Sequence, residues 1–263
     1  MQDHPVHAAL APWVKCIWSL ESDGPLLDAG RERILPDGCV ELVFHFHDTY
    51  LTHFASGETA RQPASFVVGQ MRRFLEIEPT GRAGLVAVRF HARGACLFFN
   101  RPLSEVAAGV VDLRDVWRDR AAEWTERIAL APDLAARLRS IEEALLGLLA
   151  RAGRPDPAVD RALRLIEARR GRIRVDALAA EIGVSCRHLG RGFQRVVGVG
   201  PKEFARLSRF RHALLRMTSG TPQSLTEIAL ECGFFDQAHF DHEFRALAGM
   251  SPRELATFPD VSF

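Results

Sequence analysis

Apolar and polar positions change rhythm once along the chain. Over roughly the first hundred residues they alternate. In the run from Val40, Leu42, Phe44 and Phe46 fall on one side and Val43 and His45 on the other. Within Leu85–Phe90, Val86, Val88 and Phe90 share a side. A period of two marks a strand with unlike faces. Pro36-Asp37-Gly38, Ser56-Gly57 and Thr80-Gly81 supply turns between such runs. Short strands broken by turns predict a small barrel or sandwich. From about Val111 the period lengthens to that of a helix. Leu134, Leu138, Ile141, Leu145 and Leu148 recur at spacings of four and three, a seam of about two heptads. So short a seam predicts packing onto the chain's own domains, with a homodimer seam as the alternative.

Residues 151–155, Arg-Ala-Gly-Arg-Pro, read as a linker. After them Asp156 can cap a helix that opens on Pro157. Val159, Ala162, Leu163 and Ile166 form its apolar face, and Gly171 can close it. The organisation expected is α+β and multidomain. A β-barrel-like domain over residues 1–118 is followed by a helical connector over 119–154 and an all-α domain over 155–263.

The last hundred residues contain a repeat. Ala179, Glu181 and Gly183 recur as Ala229, Glu231 and Gly233, fifty residues on. His188, Phe193, Gly198, Pro201 and Glu203 recur as His239, Phe244, Gly249, Pro252 and Glu254, fifty-one residues on. The extra residue falls in the turn after the glycine, where a duplicated unit tolerates insertion. Each unit reads as a helix, a tight turn at a glycine and a second helix. In the first, Asp176–Ile182 leads to Gly183, which accepts positive φ at little cost, and Ser185 can cap the next helix. Such a pair is the DNA-binding helix-turn-helix, whose second helix enters the major groove.

On a helical projection, Leu189, Phe193, Val196 and Val197 form one apolar arc. Arg187, Arg191, Gln194 and Arg195 cluster opposite, with His188 at the edge. Arg pairs bidentately with guanine and Gln with adenine, so this face suits base edges and phosphates. The face carries no compensating acid on its own helix. In the second unit Phe240, Phe244 and Leu247 turn inward. The positions matching the four donors are Ala238, His242, Arg245 and Ala246, flanked by Asp236, Asp241 and Glu243. The first helix is therefore expected to supply most of the affinity. Gln237, His239, His242 and Arg245 contribute from the second. Between the units, Lys202–Met217 reads as one linker helix carrying Arg206, Arg209, Arg211 and Arg216, with Arg209 a further candidate for DNA contact. Its length of roughly 24 Å compares with about 34 Å between successive major-groove faces, so one chain can reach two grooves, with bent DNA absorbing a shortfall.

These residues resemble the AraC/XylS family of regulators over about Asp156–Phe258. The resemblance rests on LAAEIGVSCRHLGRGFQRVVGVGP, then RFRHALLRM, then LTEIALECGFFDQAHFDHEFRALAGMSPREL. It implies binding of double-stranded promoter DNA by both units and, as a rule, activation through RNA polymerase. It places the reading helices at Ser185–Val196 and Asp236–Ala246. Asp241 and His242 depart from the family pattern, where a small polar residue and Arg are common. Ahead of that domain, ILPDGCVELVFHF, FVVGQ and LVAVRFHARGACLFF resemble an uncharacterised β-rich domain, similar in plan to the cupin-like sensor barrels of the family. That likeness implies ligand sensing or dimerisation and names no ligand.

Charge agrees with a polyanionic partner. The chain as a whole carries +1, yet the segment 161–216 holds fourteen Arg and Lys against four acids. Five cysteines, none in CxxC spacing, argue against a disulfide framework or a zinc finger. No basic start with an apolar run opens the chain, and no apolar stretch reaches membrane length. A cytoplasmic protein without cofactor, metal or catalytic residues is expected. Three alternatives stay open. His45, His47, Glu41 and His91 could form a metal-binding barrel enzyme fused to the DNA-binding domain. The helices could serve a protein adaptor. The regulator could also act without an effector. If a sensor pocket exists, Trp13, Trp18, His45, His47, Arg89 and His91 are its candidate lining.

Overall fold

The computed structural model describes residues 1–26, 28–99, 101–106, 109–219, 223–257 and 261–262. The alternating segments become β1 (Gln2–His4), β2 (Val14–Pro25), β3 (Glu32–Ile34), β4 (Val40–His45), β5 (Leu51–His53), β6 (Thr59–Arg61), β7 (Ser65–Val68), β8 (Leu75–Glu78), β9 (Arg82–Phe90) and β10 (Val110–Asp112). Three helices follow: α1 (Leu113–Trp117), α2 (Asp119–Ala129) and α3 (Leu134–Leu149). Seven more make the C-terminal half: α4 (Pro157–Ala168), α5 (Val175–Ile182), α6 (Cys186–Val196), α7 (Pro201–Thr218), α8 (Leu225–Glu231), α9 (Gln237–Ala248) and α10 (Pro252–Leu255), before β11 (Val261–Ser262).

The strands form two separate sheets. One runs β1-β2-β9-β4-β7-β10, the other β11-β3-β8-β5-β6. Every pairing is antiparallel except that of β11 with β3. The alternation decides which face goes where. Leu42, Phe44, Val86, Val88 and Phe90 point to the outer side of the larger sheet, where Trp124, Ile128, Ile141 and Leu145 of α2 and α3 cover them. Val43, Phe66, Leu85 and Ala87 point to the inner side, toward the second sheet. Helical periodicity begins slightly later than the sequence suggests: Val110–Asp112 pairs with β7, and Asp112 then caps α1 by accepting from the Arg114 N–H. The leucine seam of α3 packs onto its own domain, with Ile141 and Leu145 buried and Leu138 and Leu148 partly so.

In the C-terminal half the caps and apolar stripes act as expected. Asp156 caps α4 with Pro157 in its first turn, and Val159, Ala162, Leu163 and Ile166 are its buried residues. Ser185 and Asp236 cap α6 and α9, Ser185 accepting from the His188 N–H and Asp236 from the His239 N–H. Gly183 and Gly233 turn at φ 83° and 79°. Phe193 and Phe244 are both fully buried, each in the core of its own unit.

The two halves share their cores. Leu35, from the segment after β3, is fully buried among Phe210, Phe240 and Phe244 of the second unit. Ala92, just after β9, is buried with the first unit's Leu163, Leu189 and Phe193. Arg93 Nη1 reaches Asp160 Oδ1 of α4 at 3.2 Å. No described helix is long and apolar enough to cross a membrane.

Candidate nucleic-acid interface

The interface is built on two turns. In each unit a short helix is stopped by a left-handed glycine, and a capped second helix sets off from the turn. Burial sorts the second helix. On α6, Leu189, Phe193, Val196 and Val197 are buried, while Ser185, Arg187, His188, Arg191, Gln194 and Arg195 are exposed. Buried Gly192 meets Val159, so that side of α6 lies close on α4.

Part of the cationic charge nearby is already used. Arg164 pairs with Asp160, Arg169 with Glu181, Arg174 with Asp176, and Arg206 with both Glu203 and Glu243. Arg216 pairs with Glu231, while Arg172 donates to the Glu231 carbonyl. Arg187 and Arg191, by contrast, make no ion pair or hydrogen bond among the described residues. Arg195 departs from the reading of an uncompensated face: its Nη2 lies 2.8 Å from Asp156 Oδ2, the residue that caps α4. The sequence holds that acid thirty-nine positions away, outside any helical projection.

The second unit differs in what it leaves exposed. Gln237, His242 and Arg245 are exposed on α9. The Gln237 amide oxygen accepts from the Thr226 hydroxyl at 2.7 Å, which ties it to α8. His239 is half-buried, its Nδ1 accepting from the Phe235 N–H and its ring edge-on to Phe234. That ring braces the turn. Two of the acids that flank α9 have structural duties, Asp236 as the cap and Glu243 as the partner of Arg206 at 2.6 Å. Arg209 is half-buried between the units, its Nε enclosed and its guanidinium 5.9 Å from the Phe234 ring. Gly171 stands against the Ala205 carbonyl there.

The β-rich half touches both units at their working ends. The 3-10 turns Ala95–Leu97 and Leu103–Glu105 pack against α6. Pro102 and Ser104 form one wall of a groove whose other wall is Arg187, Gly190, Arg191 and Gln194. At the second unit, the Phe74 N–H donates to the Leu247 carbonyl at 2.7 Å, and Arg33 Nη1 to the Ala248 carbonyl at 3.1 Å. These satisfy orphan carbonyls at the C-terminal end of α9 and place a cation there, the favourable sign for a helix dipole. The Arg33 guanidinium lies 4.3 Å from the Phe74 ring and is held by Glu76 at 2.6 Å. No local pattern in the sequence marks Arg33, Leu35, Phe74, Pro102 or Ser104 for these contacts.

The candidate metal set does not converge. β4 ends at His45, so His47 leaves the strand and its Nε2 faces Glu21 at 3.4 Å. His45 Nε2 donates to Gln62 Oε1 at 2.9 Å, and burial lowers its pKa. Glu41 is taken by Arg89, and His91 sits at the cleft between the halves with Lys15, Glu167 and Arg211. Among the described residues no three His, Cys, Asp or Glu side chains are grouped to hold a metal. Of the proposed pocket lining, Trp18 and Arg89 do border a cavity between the sheets. Trp13 lies instead against Arg93.

Two tandem helix-turn-helix units, each with a capped second helix, define the class as a nucleic-acid-binding protein. Comparison with known proteins agrees. A helix-turn-helix domain family matches residues 178–257, and a domain family of unknown function matches residues 2–112. The chain is 34% identical over 137 residues to the HTH-type transcriptional regulator GlxA of Rhizobium meliloti, covering 52% of this chain and 40% of that protein. It is 38% identical over 90 residues to the HTH-type transcriptional activator RhaS of Escherichia fergusonii, covering 33% and 31% respectively. The match thus spans well under half of either relative's length. A solved structure of a probable AraC family transcriptional regulator from Rhodopseudomonas palustris is 35% identical over 38% of this chain and 95% of that one, with a TM-score of 0.35. Through its C-terminal domain the chain belongs to the AraC/XylS family of regulators.

Proposed function

We propose that this protein is a sequence-specific transcription regulator that binds double-stranded promoter DNA, with α6 as its principal reading helix. The observation that carries the reading is the pair Arg187 and Arg191: exposed, unpaired among the described residues, and presented with Gln194 on the outer face of a capped helix behind a glycine turn. Arg187, Arg191 and Gln194 read base edges and phosphates. Ser185 and His188 approach the backbone at the positive end of the helix. Arg195 contributes while held by Asp156. His242 and Arg245 serve the second groove, with Gln237, His239 and Arg209 set by their bonds and burial as supports.

α7 is eighteen residues long and spans roughly 27 Å, so one chain carries both helices to neighbouring grooves without a partner. One relative is named a transcriptional activator; this regulator likewise activates, working in the cytoplasm and through RNA polymerase. The β-rich half senses a small molecule and restrains DNA binding, a reading supported by Pro102 and Ser104, which line one groove with Arg187, Arg191 and Gln194 of α6.

Selection of the full-length chain against random duplexes, followed by titration of the winner at several salt concentrations, tests this. The expected outcome is an enriched site with two major-groove half-sites and a steep fall of affinity with salt, lost in Arg191→Ala. Binding insensitive to salt, or no enrichment either by the full-length chain or by its Pro102→Gly, Ser104→Gly variant, removes the regulator reading and favours the protein adaptor.

A further inference from the structure

The cavity between the two sheets, about 320 Å³, is in the size range of small-molecule sites. Leu20, Val43, Phe66, Ile77 and Leu85 give it apolar walls. Besides Glu32, Tyr50 and Gln62, its polar lining is Asp37, Glu41 and Arg89, whose side chains are 10%, 18% and 14% exposed. Glu41 Oε1 accepts from Arg89 Nε at 2.5 Å and from Trp18 Nε1 at 3.3 Å. Burial pushes the Glu41 carboxyl up despite Arg89. Burial alone would lower the Arg89 guanidinium, but the charges of Glu41 and Asp37 raise it.

Asp37 is the group left over. Its Oδ1 accepts from the Cys39 N–H at 2.8 Å. Its Oδ2 is buried, accepts no hydrogen bond among the described residues and lies 3.7 Å from Arg89 Nε. A buried carboxylate oxygen with no donor in hydrogen-bonding range is destabilising. The lining carries three carboxylates, Glu32, Asp37 and Glu41, against one guanidinium, Arg89. An anion entering here would face like charge in a low-dielectric site. A wholly apolar molecule would leave Asp37 Oδ2 unmet.

We infer that the cavity binds a small amphipathic organic cation, a protonated amine on an apolar body, whose N–H donates to Asp37 Oδ2 while the body lies among Phe66, Ile77 and Leu85. The regulatory consequence rests on the DNA-binding reading above. The Asp37 carbonyl accepts from Arg211 Nη1 of α7 at 3.2 Å. Ile34 and Leu75 line the cavity, and their chain neighbours Arg33 and Phe74 hold the end of α9. A ligand that draws in Asp37 therefore acts on segments that grip both the linker helix and the second reading helix.

The experiment uses the full-length protein and matched probes at pH 7: 2-phenylethylamine and hexylamine as cations, 2-phenylethanol and 1-hexanol as neutral counterparts, 3-phenylpropionate and hexanoate as anions. Thermal unfolding and calorimetric titration read binding. The amines are expected to raise the unfolding midpoint, the alcohols to do so less and the acids least. Asp37→Asn keeps an acceptor for the Cys39 N–H and is expected to weaken amine binding about tenfold or more. Ile77→Trp fills the cavity and is expected to abolish binding of every probe while DNA binding is retained. Acids binding as well as amines, no response to either amine, or unchanged amine affinity in Asp37→Asn would each overturn the assignment. DNA binding is measured on the same preparations. Amine binding without DNA binding sinks the regulator reading alone, and DNA binding without amine binding sinks the cavity assignment alone.

Discussion

α6 and α9 occupy the same place in two copies of one unit, and they differ almost wholly in what faces outward. Their buried positions match: Leu189 answers to Phe240 and Phe193 to Phe244, all fully buried. Both are capped by a short polar residue, Ser185 and Asp236. Outward, α6 offers Arg187, Arg191 and Gln194, whereas α9 offers His242 and Arg245, and its C-terminal carbonyls are tied to Arg33 and Phe74. Duplication keeps what the turn and the core require, and leaves the exposed face free to diverge. On the proposed reading, one helix reads DNA. The other has become in part an anchor for the β-rich half.

The equivalence of the cores predicts the largest effects. Phe193→Ala and Phe244→Ala should each cost about 3–5 kcal/mol in chemical unfolding. Costs differing by more than about 2 kcal/mol would mean that the units are not alike inside. Leu35→Ala should cost about 2–4 kcal/mol, although Leu35 lies outside the helical domain. Hydrogen exchange should locate the loss in α7 and α9, and loosening of the β-sheets alone would contradict the shared core.

The divergence of the surfaces predicts smaller changes, in DNA affinity. Arg191→Ala should cost about 1–3 kcal/mol toward the selected site and relax sequence preference at one position, as a bidentate base contact does. Arg245→Ala should cost less, and the reverse order in fluorescence anisotropy would end the asymmetry. The smallest change concerns salt. If Arg187 neutralises one phosphate, Arg187→Ala should reduce the slope of log affinity against log salt by about 0.9. His242→Ala should change that slope less than Arg187→Ala does.

The sequence made the helical domain legible because its determinants are local. Caps at Asp156, Ser185 and Asp236, glycines at 171, 183 and 233, and stripes of apolar residues all lie within a few turns of what they control. The strands around Val40 and Leu85 were readable for the same reason. What escaped depends on long reach. Arg195 meets Asp156 across thirty-nine residues, and Arg33 meets the end of α9 across more than two hundred. His47 does not join His45 on a strand face because β4 ends at His45, and alternation carries no signal for where a strand stops. The candidate pocket lining failed in part for a related reason. Ile34, Leu75 and Ile77 come from strands of three and four residues, too short to show a period. Of the candidate DNA contacts, the exposed Arg187, Arg191 and Gln194 were foreseeable from one helical projection. The half-buried settings of His239 and Arg209 follow from neighbours in other elements.

The burial of Leu35 in the second unit bears on modularity. A DNA-binding domain that completes its hydrophobic interior with a side chain borrowed from another domain is not a free cassette. Grafted beneath a foreign sensor, these helices would carry an unfilled socket beside Phe210 and Phe240. Shuffling of such domains is thus constrained by a single leucine as well as by the fit of their outer surfaces.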